Sequence, residues 1–136
     1  MSTPSPTERP CALVVDDDAL LLMNAAVILE DAGYRTLEAH SGDAALDVLR
    51  EHHATVQLLF TDVHMPGDHD GFALATKVAD HWPHIAIVIA SGRARPTPDE
   101  LPDSAHFIPK PFSARVVREH LRDMLPKAEQ PSPLRG

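Results

Sequence analysis

Two apolar runs that end abruptly in carboxylates constrain this chain more than any other feature. Residues 12–15 lead into Asp16 and Asp17, and residues 58–61 lead into Asp62. A short run rich in Val, Leu and Phe indicates a buried strand of a parallel sheet. Ligands in open α/β sheets bind at the carboxyl ends of such strands. The sequence therefore predicts a functional site where these two strands end.

Two further predicted strands end in polar side chains. Residues 85–90 run into Ser91, and residues 106–109 run into Lys110. Because the carboxyl ends of parallel strands meet at one edge of a sheet, we expect a hydroxyl and an ammonium group beside the carboxylates.

Helical and strand patterns alternate along most of the chain, which indicates βα units around a parallel sheet. Right-handed crossovers and one reversal of winding give a doubly wound α/β sheet of five parallel strands in the order 2-1-3-4-5. The reversal lies between the first and third strands. The predicted strands are residues 12–15, 34–39, 56–61, 85–90 and 106–109, and the clear helices are residues 20–32, 41–51, 71–82 and 113–124.

Two of the predicted helices carry specific expectations. Residues 20–32 have apolar side chains on nearly every side, which predicts a well-buried helix, and Gly33 follows where a left-handed cap is needed. Only fourteen residues, 92–105, separate the fourth and fifth strands, and three of them are proline. We therefore expect a reduced fourth helix of about one turn, with Thr97 as its cap.

Length and charge limit how many domains the chain can form and which partners it can bind. The 136 residues suit one domain, predicted at 11–125, with disordered tails at 1–10 and 126–136 that are rich in proline. The chain has 12 basic and 20 acidic side chains and a net charge of −8, which argues against DNA and membrane surfaces as partners. It has neither a signal-peptide pattern nor a spanning apolar run, so we expect a cytoplasmic protein.

The residues at the strand ends favour metal and phosphoryl chemistry. Asp16, Asp17 and Asp62 would face each other and repel unless a proton or a cation neutralises them. An all-oxygen cluster in a shallow crevice suits Mg²⁺ together with phosphate oxygens. Ser91 can donate to a phosphoryl oxygen, Lys110 can offset its charge, and an Asp can act as the nucleophile. This reasoning leaves open which Asp is the nucleophile.

Four segments, LVVDDD, LLFTDVHMPG, IVIASG and FIPKPF, resemble in order and spacing the receiver domain of two-component response regulators. The resemblance covers about residues 12–125 and implies the flavodoxin-like receiver fold. It implies that Asp62 is the phosphoacceptor. It also implies that Mg²⁺ is held by Asp17 directly, by Asp16 through water, by Asp62, and by the backbone carbonyl of His64.

The resemblance further assigns a switch. Ser91 takes the Ser/Thr switch position, Lys110 the motif lysine, and Phe107 the aromatic switch position. Once Asp62 is phosphorylated, Ser91 is expected to move toward the phosphoryl group, and Phe107 to turn into the space it vacates. Phosphorylation would thereby bias a two-state equilibrium and change the surface that partners recognise.

The function implied is that of a single-domain response regulator rather than an enzyme, with at most slow autodephosphorylation. Its phosphodonor would be a sensor histidine kinase or a histidine phosphotransfer protein. Its output would be a switched contact with an unknown downstream protein, or the draining of phosphoryl groups from a kinase. Phosphorylation-dependent pairing with a second copy stays open.

Three departures from the family pattern stand out. The loop Met65 to Gly71 is one residue longer than the usual motif, and the fourth helix is shortened. His64 and Arg93 lie two residues beyond Asp62 and Ser91, where they would flank the path of a hydrolytic water.

Two other functions compete with the receiver interpretation. Asp16 and Asp18 form a D-x-D pattern that resembles a phosphatase of the haloacid dehalogenase type, but the second acidic motif of that family is missing beyond Lys110. A receiver-like binding module that works without phosphorylation is the non-enzymatic alternative. Such a module would not need the set Asp17, Asp62, Ser91 and Lys110. Each of these residues taken alone is common in proteins without such a function. The prediction rests on their occurring together.

Overall fold

The computed structural model describes residues 10–63, 70–92, 105–110, 112–125 and 131. Within them, strands and helices alternate as the sequence predicts, apart from the stretch between the fourth and fifth strands, most of which lies outside the described residues. The strands are β1 (Cys11–Val15), β2 (Arg35–Ala39), β3 (Val56–Asp62), β4 (Ala86–Ser91) and β5 (Ala105–Pro109), and the helices are α1 (Ala19–Asp31), α2 (Gly42–His52), α3 (Gly71–His81) and α4 (Ala114–Met124).

The five strands form one sheet in the order β2-β1-β3-β4-β5, and all four pairings are parallel. The predicted fold class and strand order are therefore confirmed. The winding reverses between β1 and β3, so the carboxyl ends of these two strands lie side by side. Ligands bind at such a reversal in open α/β sheets.

Local side-chain chemistry sets where the helices begin and end. Ser41 and Ser113 cap α2 and α4 by accepting hydrogen bonds from the backbone N–H groups three residues later. Gly33 has a φ of 108°, a left-handed conformation that favours glycine after the end of α1. Helix α3 ends before Trp82, because Pro83 cannot continue it.

The core consists of two layers, one on each face of the sheet. Leu13 and Val15 pack in the layer under α2 and α3, while Ala12 and Val14 pack in the layer with α1 and α4. Because successive side chains of a strand point to opposite faces, a strand covered on both faces reads as a continuous apolar run. This explains the unbroken apolar segments that predicted the central strands.

Helix α1 corrects one prediction. It is not buried on all sides, because it packs against a single face of the sheet and no element among the described residues covers its other side. The exposed fractions are 76% for Leu20, 41% for Leu21, 60% for Met23 and 50% for Val27. We call these four side chains the α1 apolar face.

Some predictions fall on residues outside those described. These are the reduced fourth helix within residues 92–105 and the disordered tails, apart from Pro10 and Pro131. Both stay predictions. No helix among the described residues is long and apolar enough to cross a membrane.

Candidate functional site

Three carboxylates meet where β1 and β3 end. Val15 lies opposite Thr61 in the register of the two strands, so the residues that follow each of them are neighbours at the sheet edge. One oxygen from each of Asp16, Asp17 and Asp62 lies within 4.8 Å of the others. The structure thus brings together the three carboxylates that the sequence singled out.

Asp16 is the most buried of the three, with 6% of its surface exposed. Its Oδ1 accepts a hydrogen bond of 2.9 Å from the backbone N–H of Asp18. Burial raises the pKa of the Asp16 carboxyl, and the charge of Asp62 adds to this, while the Asp18 N–H and Lys110 oppose it. The folded state is therefore less stable when Asp16 is ionised than when it is protonated.

Lys110 supplies the positive charge of the site. Its Nζ donates to Asp62 Oδ1 at 2.9 Å and to Asp16 Oδ2 at 3.4 Å. Burial alone would lower the pKa of Lys110, but the hydrogen bond and charge of Asp62, together with those of Asp16, raise it. The backbone N–H of Lys110 donates to the carbonyl of Ser91 at 2.9 Å, which ties the end of β5 to the end of β4.

These groups line an open cavity of about 410 Å³. Its described walls are Asp16, Asp17, Asp18, Leu21, Asp62, Gly92 and Lys110. The Oδ1 of Asp18 accepts hydrogen bonds from the backbone N–H groups of Leu20 and Leu21, so this carboxylate caps α1. Asp17, by contrast, is exposed to the cavity and to solvent.

The donor set fits a hard divalent cation. Among the described residues, three carboxylates face one ammonium group, so this cluster keeps a negative excess that a cation would neutralise. All of the ligand atoms are oxygens, and the open cavity leaves room for the waters that Mg²⁺ retains. Asp16, Asp17 and Asp62 could hold such an ion. His64, whose carbonyl was predicted as a further ligand, lies outside the described residues.

The two predicted switch residues lie beside the cavity rather than in its wall. Ser91 ends β4 with 2% of its surface exposed, and its neighbour Gly92 lines the cavity. Phe107 is half-buried in β5, opposite Ile89 of β4, and packs against the core under α2 and α3. Ser91 and Phe107 thus lie on β4 and β5, the two strands that the hydrogen bond from the Lys110 N–H to the Ser91 carbonyl connects.

Sequence reasoning missed two kinds of contact. Leu21 was expected in the core but lines the cavity, and Gly92 was given no role. Gly71 was assigned only to the start of a helix, although it lies against the backbone of Asp62. Two features of the sequence could have indicated these contacts. They are an apolar residue, Leu21, soon after the acidic end of the first strand, and a glycine, Gly92, directly after Ser91.

Comparison with known proteins agrees with this geometry. The family model described as "Response regulator receiver domain" matches residues 12–122. The sensor kinase CckA of Brucella abortus is 32% identical over 120 residues, which are 86% of this chain and 13% of that protein. The transcriptional regulatory protein CpxR of Escherichia coli K12 is 31% identical over 114 residues, which are 83% of this chain and 48% of that protein. This chain thus spans less than half the length of either relative.

Among solved structures, the receiver domain of the hybrid histidine kinase CckA superimposes with a TM-score of 0.72 and 30% identity. The match covers 85% of this chain and 99% of that one. The fold of this chain therefore agrees with that of a solved receiver domain over most of its length. The chain therefore belongs to the response regulator receiver domain family of two-component signalling.

Proposed function

We propose that Asp62 accepts a phosphoryl group from a phosphohistidine of a sensor histidine kinase or of a histidine phosphotransfer protein. The observation that carries this proposal is the meeting of Asp16, Asp17 and Asp62 within 4.8 Å, with Lys110 Nζ 2.9 Å from Asp62. A half-buried carboxylate beside a cation, within a cluster of carboxylates that could hold a metal ion, is an arrangement that suits phosphoryl transfer.

In the proposed transfer, a carboxylate oxygen of Asp62 forms a bond to phosphorus. The phosphorus–nitrogen bond to the donor histidine breaks, and its electron pair stays on the imidazole nitrogen, which then takes up a proton. The product is an acyl phosphate on Asp62. Mg²⁺, held by Asp16, Asp17 and Asp62, would supply charge neutralisation for the phosphoryl oxygens.

Lys110 is proposed to stabilise the added negative charge. Its raised pKa keeps the ammonium form at neutral pH, so it can pair with a phosphoryl oxygen after Asp62 is modified. Its backbone bond to Ser91 supports the further proposal that the site and the switch are coupled. Ser91 would donate its hydroxyl to the phosphoryl group, and Phe107 would turn inward as Ser91 moves.

The α1 apolar face is the surface we propose for the phosphodonor. It is continuous with the cavity, because Leu21 belongs to both. Four exposed apolar side chains on one helix are unusual for a surface that never meets a partner. A donor that delivers a phosphoryl group into the cavity would cover this face at the same time.

For the output we propose contacts with another protein, or drainage of phosphoryl groups from a kinase, and we place the protein in the cytoplasm. The net charge of −8 supports protein rather than DNA as the partner. The phosphatase alternative is disfavoured because Asp18, its acid/base candidate, caps α1. Action as a single-domain regulator and phosphorylation-dependent pairing of two copies both belong to this proposal.

Intact mass after incubation with acetyl phosphate and Mg²⁺ tests the phosphoacceptor. We expect one Mg²⁺-dependent phosphoryl adduct in the wild type, none in Asp62→Asn, and an unchanged adduct in Asp47→Asn. Asp47 is a matched control, since it is an exposed carboxylate paired with Arg50 on α2. An adduct that persists in Asp62→Asn would refute the assignment, and steady hydrolysis that Asp16→Asn abolishes would favour the phosphatase.

A further inference from the structure

Helix α3 begins directly on the backbone of the strand that carries Asp62. The N–H of Gly71, the first residue of α3, donates to the carbonyl of Val63 at 2.8 Å. A Cβ atom added at Gly71 would lie 2.1 Å from the carbonyl oxygen of Asp62 and 2.8 Å from the Cα of Val63. Non-bonded carbon atoms do not approach backbone so closely, and only glycine allows this contact without a shift.

The crowding at Gly71 differs from that at the glycine in the cavity wall. At Gly92 an added Cβ would meet the Cβ of Lys110 at 3.4 Å, which is an ordinary van der Waals distance. An alanine at position 71 requires the start of α3 and the peptide between Asp62 and Val63 to move apart.

A second contact holds the same carbonyl group. The Oγ1 of Thr61, which is fully buried, donates to the carbonyl oxygen of Asp62 at 2.9 Å. The carbonyl of Asp62 is thus hydrogen-bonded by the Thr61 hydroxyl and packed against Gly71, whose N–H bonds the carbonyl of the next residue, Val63. Neither residue lines the cavity, but both restrict the backbone from which the Asp62 side chain reaches Lys110.

We propose that Gly71 is a positioning residue for Asp62, because the absent Cβ lets α3 hold the Asp62–Val63 peptide in place. The inference rests on the proposed function of Asp62 and names a further residue for it. The close contact at Gly71 would then affect the reactivity of Asp62 and not only the stability of the fold. Displacement of a reacting group by about 1 Å can cost up to roughly 100-fold in rate.

Three variants test this inference: Gly71→Ala, Thr61→Val, and Gly42→Ala as control. Gly42 is also the first residue of a helix and also follows a capping residue, but its helix follows β2 and not the strand that carries Asp62. The measurements are the phosphorylation rate by acetyl phosphate with saturating Mg²⁺, the half-saturating acetyl phosphate concentration, the folded fraction by circular dichroism, and the ¹⁹F spectrum of the beryllium fluoride adduct.

We expect Gly71→Ala to lower the maximal rate per folded molecule by about tenfold or more, with a smaller change in the half-saturating concentration and a shifted ¹⁹F spectrum. Thr61→Val should act in the same direction but more weakly, and Gly42→Ala should keep the wild-type rate. A Gly71→Ala protein that only melts earlier, with wild-type rate and spectrum, would overturn the inference.

If Gly71→Ala does not fold, Thr61→Val decides: a folded Thr61→Val protein with wild-type rate and spectrum also overturns the inference. A wild type that takes up no phosphoryl group overturns the proposed function itself, and this outcome is distinct from an effect confined to the variants.

Discussion

The ammonium nitrogen of Lys110 lies 2.9 Å from Oδ1 of Asp62, although the two residues are 48 positions apart in the chain. The pair joins the ends of β3 and β5, which are separated in the sheet by β4. The proposed phosphoacceptor therefore already has a cation beside it. A site with its charges in place needs little rearrangement when a phosphoryl group arrives.

Loss of the Lys110 charge should destabilise the metal-free protein. We expect Lys110→Met to lower the free energy of unfolding at pH 7 by roughly 2 kcal/mol, because the buried carboxylate of Asp16 and the half-buried carboxylate of Asp62 lose a charged hydrogen-bond donor. Urea denaturation measures this difference. Lys77→Met on α3 is the matched control, since Lys77 is exposed, and it should change little.

The loss of unfolding free energy in Lys110→Met should depend on pH in one direction. The pKa of Lys110 is raised in the fold, so the stabilisation it provides is fully present below the ordinary lysine pKa of 10.5 and is lost as the pH rises through the folded pKa. The deficit of Lys110→Met should therefore stay constant between pH 7 and 9 and shrink at higher pH. A deficit that has already vanished at pH 8.5 would contradict the ion pair.

Asp16→Asn should stabilise the metal-free protein at neutral pH. The folded pKa of Asp16 lies above the ordinary aspartate value of 3.8, so ionised Asp16 destabilises the fold above that pKa, and this destabilisation disappears as the pH falls through it. We expect a melting temperature higher by roughly a few degrees at pH 7, with a smaller difference at lower pH. Asp47→Asn, which changes an exposed carboxylate, should show no such difference.

Metal binding should offset the destabilisation that ionised Asp16 causes. Added Mg²⁺ should raise the melting temperature of the wild type and thereby reduce the advantage of Asp16→Asn. An Asp16→Asn variant that is less stable than the wild type in the presence of EDTA at pH 7 would argue against burial of the ionised Asp16 carboxylate as a destabilising effect.

Asp17 should be required for stabilisation by Mg²⁺. At a metal concentration ten times Kd, mass action adds roughly 1.4 kcal/mol to the wild type. We expect Asp17→Asn to lose most of this gain, because an exposed carboxylate with access to the cavity is removed. Thermal melts over a series of Mg²⁺ concentrations provide the measurement, and Asp31→Asn at the exposed end of α1 serves as control. Equal Mg²⁺ responses in both variants would place the ion elsewhere.

The α1 apolar face should matter for a protein donor but not for a small one. We expect Met23→Lys to slow phosphotransfer from an autophosphorylated sensor kinase domain by about tenfold or more, since a charge would be buried at the contact. Phosphorylation by acetyl phosphate should keep its wild-type rate. Thr76→Lys, at an exposed polar position of α3, is the control. Equal slowing with both donors would mean that Met23→Lys disturbs the site rather than the docking.

Local patterns in the sequence were enough to predict most of the fold. Apolar runs identified the central strands β1, β3 and β4, and Ser41, Ser113 and Gly33 marked helix ends that the structure has. These features depend on neighbours a few residues away, so the chain alone determines them. The fold class also placed Asp16, Asp17, Asp62 and Lys110 at one sheet edge. Their chemical roles stay proposals.

Only the tertiary structure decided what depends on residues distant in the chain. The α1 apolar face reads as core in sequence, because a helical pattern shows which residues are apolar but not how many sides of the helix are covered. The contact of Gly71 with the Asp62 carbonyl follows from where α3 meets β3, and no local pattern predicts a distance across a loop. The direction of the Asp16 pKa shift likewise arises from burial and from charges that folding brings together.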